Sequence, residues 1–196
     1  MPARVLVVDD DPAIRELLGE YLRGRGLDVS ETSSGTTAIA ALTVSRVDAV
    51  VVDLKLGDVD GIEVVRAASA CDPPVATVAI TGFGDVEAAI ATMKAGASDL
   101  VLKPFSLRDL WAALDAAMAH ARARALAEAA HALLVDAARA DTAEDAEALV
   151  TRLGALVGGM GEGIEQRLGS SRRVSAPAEA APYVRAVSAA LLRLGL

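Results

Sequence analysis

Residues 49–66 read AVVVDLKLGDVDGIEVVR, and their order decides the fold. Ala49 to Val52 is a wholly apolar, largely β-branched run, which suits a strand buried on both faces. The run ends on a carboxylate, Asp53. From Gly61 to Ser69 the apolar residues return at helical spacing. A buried strand, an acidic edge, a short loop and a helix make one unit of a parallel α/β sheet.

The same unit recurs on either side. Upstream, Arg4 to Val8 reads as a strand and Asp11 to Arg25 as a helix with Pro12 in its first turn and Gly26 as its stop. Leu27 to Glu31 reads as a strand and Ser34 to Val44 as a helix. Downstream, Val75 to Ile80 and Leu100 to Leu102 are strands, and Asp85 to Lys94 is the helix between them, closed by Gly96. A further helix starts near Ser106, whose hydroxyl suits a cap. The expected fold is α/β: a doubly wound, five-stranded parallel sheet covered on both faces. Ligands of such sheets bind outside the carboxyl ends of the strands, where the strand order reverses.

The polar residues that end these strands carry the chemistry. Asp9 and Asp10 end the first, Asp53 the third, Thr81 the fourth and Lys103 the fifth. Close carboxylates repel and raise one another's pKa, so their convergence calls for a cation. Few carboxylates with room for water suit Mg2+. Lys103 adds a compact positive charge, and the Thr81 hydroxyl can bond an anionic oxygen. Together the residues describe a carboxylate nucleophile attacking phosphorus, with metal and lysine neutralising the developing charge. A set of ordinary turn-forming and capping acids would account for one such aspartate, but poorly for this many chemistry-bearing residues at matching strand ends.

VLVVDDDP at residues 5–12, VVDLKLGDVDGIEVVR around Asp53, AITGFGD around Thr81 and AGASDLVLKPF around Lys103 together resemble the receiver domains of bacterial response regulators. The resemblance runs from Val5 to about Ala121 and implies the flavodoxin-like receiver fold. It implies that Asp53 is the phosphoacceptor and that Asp9, Asp10 and Asp53 hold Mg2+ with the backbone carbonyl of Lys55. It implies that Thr81 is the switch hydroxyl, Lys103 the partner lysine, and Pro104 the proline that follows a cis peptide bond. The chain departs from the family at Leu100, where a Tyr or Phe usually swings inward upon phosphorylation. It departs again at Gly57, where a proline is common.

Composition limits the remaining possibilities. The net charge of −8 is concentrated before Ser106, and the rest of the chain is nearly neutral, without a basic footprint for nucleic acid. Aromatic residues make up 3%, too few for base-stacking platforms. The single cysteine, Cys71, forms no internal disulfide. The start of the chain turns acidic too soon for a signal peptide, and no run is apolar enough to cross a membrane, so a soluble cytoplasmic protein is expected.

After the receiver at 1–121, an all-α extension is expected. From Leu107 a Leu/Ala stripe continues through Val135 without Gly or Pro, which predicts one long helix, bent or broken near Ala140-Asp141-Thr142. Thr142 with Asp145 resembles a capping box. The expected divisions are a helical extension at 122–168, a linker at 169–177 and a C-terminal helix at 178–196. A helix of about 35 residues spans about 50 Å, more than one small domain can cover. Homodimerisation through this extension is therefore expected. GGMGEG at 158–163 lacks the lysine and the preceding strand of a phosphate loop, and reads as a hinge. His120 and His131 read as ordinary helix histidines.

The expected function is a response regulator that accepts a phosphoryl group on Asp53 from a sensor histidine kinase or histidine phosphotransfer protein. It would catalyse only its own phosphorylation and dephosphorylation, with output through self-association or partner binding by the tail. Two alternatives are a transcriptional regulator with a divergent DNA-binding tail and a phosphorylation-independent interaction module.

Overall fold

In the computed structural model of the chain, the residues described are 2–82, 86–138 and Arg152. The strands are β1 (Arg4–Val8), β2 (Asp28–Thr32), β3 (Ala49–Asp53), β4 (Ala76–Gly82) and β5 (Asp99–Lys103). The helices are α1 (Pro12–Gly24), α2 (Gly35–Val44), α3 (Gly61–Ser69), α4 (Val86–Ala95) and α5 (Leu107–Ala138). All strand pairs are parallel, in the order β2-β1-β3-β4-β5. The flavodoxin-like receiver fold expected from the sequence is the fold found.

The apolar strands divide their side chains between two cores because successive residues point to opposite faces. Val5 and Val7 of β1 and Val51 of β3 join Leu18 and Leu22 of α1 and Leu110 and Leu114 of α5. Leu6, Val8, Val50 and Val52 join Ala38 and Leu42 of α2 and Val64 and Val65 of α3. A strand covered on both faces needs apolar residues throughout, and every residue of β3 is buried, Asp53 included.

Local signals fix the helix ends. Asp11 caps α1 by accepting from the N–H groups of Ala13 at 2.8 Å and Ile14 at 3.4 Å, and Pro12 opens its first turn. At the other end Gly26 takes φ of 83°, and Leu27 N–H returns to Leu22 C=O at 3.3 Å. Ser106 opens α5: its hydroxyl accepts from Asp109 N–H at 3.1 Å and donates to Asp109 Oδ2 at 2.7 Å.

Strand order places the site. The chain adds β2 on one side of β1 and then β3 on the other. The carboxyl ends of β1 and β3 thus flank the point where the order reverses. The first compact unit is Met1–Ala125; of the second, Leu126–Leu196, the described residues are the end of α5 and Arg152. The expected bend near Ala140-Asp141-Thr142, the capping box at Thr142, the glycines at 158–163, the linker at 169–177 and the helix at 178–196 lie outside the described residues. No helix among the described residues is long and apolar enough to cross a membrane.

Candidate functional site

Three carboxylates meet at the switch point. Oxygens of Asp9, Asp10 and Asp53 all lie within 4.8 Å of one another. Asp9 and Asp53 are buried, whereas Asp10 is exposed. The register explains the meeting: Val8 stands beside Val52, so the residues that follow leave the sheet together.

Lys103 ends β5 and reaches across β4 to this cluster. Its Nζ lies 2.5 Å from Asp53 Oδ2 and 3.7 Å from Asp9 Oδ2. Burial alone lowers an ammonium pKa, but the bond to Asp53 and the charges of Asp53 and Asp9 outweigh it and hold Lys103 above its ordinary value. The other Asp53 oxygen, Oδ1, accepts from the Lys55 N–H at 3.0 Å. Both carboxylate oxygens are therefore held, and the orientation of the group is set before any reaction.

Asp9 differs. Its Oδ1 accepts from Asp11 N–H at 2.9 Å, but its buried Oδ2 has no hydrogen-bond partner. Burial, reinforced by the charges of Asp53 and Asp10, raises its pKa despite that bond and Lys103. A buried, orphaned carboxylate oxygen beside two more carboxylates is the donor set that a hard divalent cation completes. The residues fit Mg2+, with Asp9, Asp10 and Asp53 as the side chains that would hold it.

Thr81 is buried near the end of β4, one residue beyond Ile80, the partner of Asp53. Lys55 has an exposed side chain and sits in the loop after β3, where it pairs with Asp60. Leu100 is half-buried on β5 and packs against the core under α2, α3 and α4. The Lys103–Pro104 peptide is cis.

Sequence reasoning missed three contributors. Arg15, half-buried in α1, donates to the backbone carbonyls of Asp9 at 2.7 Å and Asp10 at 3.5 Å. A cation in the first turn of a helix opposes the helix dipole, and that mismatch was a readable hint. Gly61 opens α3 directly against β3: a Cβ there would lie 2.2 Å from Asp53 O and 2.7 Å from Leu54 Cα. Asp58 reaches the start of α2, where its carboxylate accepts from Ser34 Oγ at 2.8 Å and from Gly35 and Thr36 N–H at 3.0 Å each. No local pattern announces that long-range cap.

Comparison with known proteins agrees with the fold. Residues 5–115 match the model of the response regulator receiver domain. Over 116 residues the chain is 39% identical to the DNA-binding response regulator MtrA of Mycolicibacterium smegmatis, covering 59% of this chain and 50% of that one. Over 118 residues it is 36% identical to the transcriptional regulatory protein ZraR of Salmonella typhimurium, covering 60% of this chain and 27% of that one. The chain thus spans at most about half the length of these curated relatives. Among solved structures, a CheY-like receiver domain protein from Methanospirillum hungatei superposes with TM-score 0.60 at 25% identity, covering 63% of this chain and 99% of that one. A receiver domain protein from Clostridium thermocellum superposes with TM-score 0.57 at 30% identity, covering 61% and 97%.

Proposed function

The chain belongs to the response regulator receiver domain family, and from that premise we propose that it accepts a phosphoryl group on Asp53 in a Mg2+-dependent reaction. The observation that carries the reading is the gathering of three carboxylates within 4.8 Å around one lysine, 2.5 Å from Asp53. Receivers are signalling proteins rather than enzymes acting on outside substrates. The donor is a phosphohistidine on a sensor kinase or a phosphotransfer protein.

An Asp53 carboxylate oxygen attacks phosphorus, the donor's P–N bond breaks, and its electron pair returns to the imidazole. An acyl phosphate forms on Asp53. When bound, Mg2+ supplies charge neutralisation and orientation for phosphoryl oxygens. The Lys55 N–H and Lys103 orient the carboxylate, and the Lys103 ammonium pairs with negative charge as it builds. Water later attacks phosphorus, which restores the carboxylate and releases inorganic phosphate.

Output runs through the β5 face and α5. Thr81 and Lys103 are the links from the phosphoryl site to that side of the sheet. Exposed apolar side chains there, Val86, Ile90 and Met93 of α4 and Leu102 of β5, offer a surface to a partner. Leu100 replaces ring rotation with aliphatic repacking against α4. We place homodimerisation in the part of α5 beyond Ala121 and the cellular location in the cytoplasm. Light scattering in Mg2+, with and without beryllofluoride, tests this output. A change of assembly in wild type that Asp53→Ala lacks supports it, and identical assembly in every condition contradicts it.

DNA binding is the second reading, favoured by the names of the curated relatives, which are DNA-binding and transcriptional regulators. The expectation that nucleic acid is not a partner gains no support from them. Binding to duplex DNA that weakens steeply with added salt would establish this reading.

A further inference from the structure

The loop between β3 and α3 carries the Lys55 carbonyl and lies over the acidic site. It is closed at its base by the pairing of Lys55 with Asp60 and by Gly61 N–H bonding to Leu54 C=O at 2.9 Å. Its Gly57 lies beside Asp10, since a Cβ built there would be 3.9 Å from Asp10 Oδ2. A glycine at this point leaves the backbone less restrained than most residues would.

The restraint comes from outside the loop. Asp58 receives Ser34 Oγ and the Gly35 and Thr36 N–H groups, so one carboxylate holds two of the otherwise unpaired donors that begin α2. These bonds keep the exposed Asp58 carboxyl well below the usual carboxylate range. The fit is also steric. A Cβ on Gly35 would lie 2.5 Å from Val59 Cγ2 and 2.9 Å from Leu56 Cδ1, so the side chains flanking Asp58 rest on the bare start of α2. The helix keeps its own cap from Ser34, whose Oγ accepts from Thr37 N–H at 3.1 Å. Asp58 is therefore more than a replacement for a missing cap.

We propose that Asp58 is a positioning residue for the metal and phosphoryl site, clasping the loop that carries the Lys55 carbonyl to the start of α2. The inference rests on the Mg2+-dependent phosphoacceptor reading. Asp58 touches neither metal nor phosphoryl group. Its effect is to order the loop in advance, so that less ordering remains when the cation binds. Loss of an outer partner of a metal ligand typically costs about 10- to 100-fold in affinity. Here the ligand is a backbone carbonyl beside three carboxylates, so we expect an effect at or below the low end, about 3- to 10-fold.

The test is Mg2+ titration calorimetry on wild type, Asp58→Ala, Asp58→Asn, Asp10→Asn and Leu42→Ala. Native hydrogen exchange at Gly35 and Thr36 is followed in the absence of metal. Leu42 is a buried residue of α2 near the end opposite the clasp, so its truncation destabilises that helix without removing a clasp bond. The expected result is a dissociation constant raised about 3- to 10-fold in Asp58→Ala and by less in Asp58→Asn, whose side-chain oxygen still accepts. Exchange at Gly35 and Thr36 is faster in Asp58→Ala, and Leu42→Ala stays within about twofold of wild type for Mg2+. Unchanged affinity in Asp58→Ala overturns the inference alone, provided that Asp10→Asn does weaken binding. Equal weakening in Leu42→Ala also overturns it, since the effect is then one of general stability. Wild-type affinity in Asp10→Asn overturns the metal-site reading and this inference with it.

Discussion

Gly61→Ala adds one methyl group at the most confined point beside the acceptor. The new Cβ would lie 2.2 Å from Asp53 O, 2.7 Å from Leu54 Cα and 3.0 Å from Asp53 C. All three are backbone atoms, so no side chain can turn aside to make room. The end of β3 or the start of α3 has to move. Forcing an extra carbon into a packed interior costs about 1–3 kcal/mol, and backbone obstruction puts this site at the upper end. Alanine's helix preference returns up to about 1 kcal/mol. The net loss is then about 2 kcal/mol, or about 6–10 °C in Tm for a domain of this size. Gly24, at the end of α1, is the control, because a Cβ there meets nothing within 4 Å. Gly24→Ala should melt at or slightly above wild type. The assay is thermal unfolding followed by the fluorescence of Trp111, which stacks on Arg25 at 4.7 Å and packs against the core. Because Asp53 is displaced, Gly61→Ala should also accept phosphoryl groups more slowly. A Gly61→Ala Tm within about 2 °C of wild type would refute the steric reasoning.

Other changes test neighbouring parts of the account. Lys103→Met removes the cation between Asp9 and Asp53, so melting in EDTA should fall and the rise in Tm on adding Mg2+ should exceed that of wild type; an equal rise contradicts the pairing. Asp48 sits below its ordinary pKa of 3.8 because the Arg4 N–H bond and Arg46, with a smaller push from the Arg122 charge, outweigh the opposing effect of burial. A depressed carboxylate contributes stability that is present above about pH 4 and is lost as pH falls through the folded value. Asp48→Asn should thus be less stable than wild type at pH 6, with the gap narrowing as pH is lowered below about 4 in paired thermal melts. Ser106→Ala should cost about 1 kcal/mol in urea unfolding through loss of the α5 cap, and an unchanged midpoint would argue against that cap.

Most of the fold was legible because buried parallel strands write their burial into an unbroken apolar run. The boundaries were less so. β4 extends through Thr81 and Gly82, and β5 takes in Asp99 and Lys103, because backbone bonds to the neighbouring strand hold polar residues that hydrophobicity does not mark. Leu27 was assigned to β2, but it closes the end of α1 instead. The acidic residues and Lys103 were legible as strand-end exceptions to an apolar pattern. Asp58 was not, because it acts on the start of α2, which only tertiary folding brings near; Arg15 acts locally, on the carbonyls that precede its own helix, and left only the hint of a cation in a first turn. Arg122 adds to the field at Asp48 only because folding brings these sequence-distant residues near.

The central claim is tested most directly by intact-mass spectrometry of the full chain incubated with acetyl phosphate. Wild type in Mg2+ should gain the mass of one phosphoryl group, wild type in EDTA should gain none, and Asp53→Asn in Mg2+ should gain none. A phosphoryl group retained by Asp53→Asn, or acquired equally without Mg2+, would contradict the assignment of Asp53 as the metal-dependent acceptor.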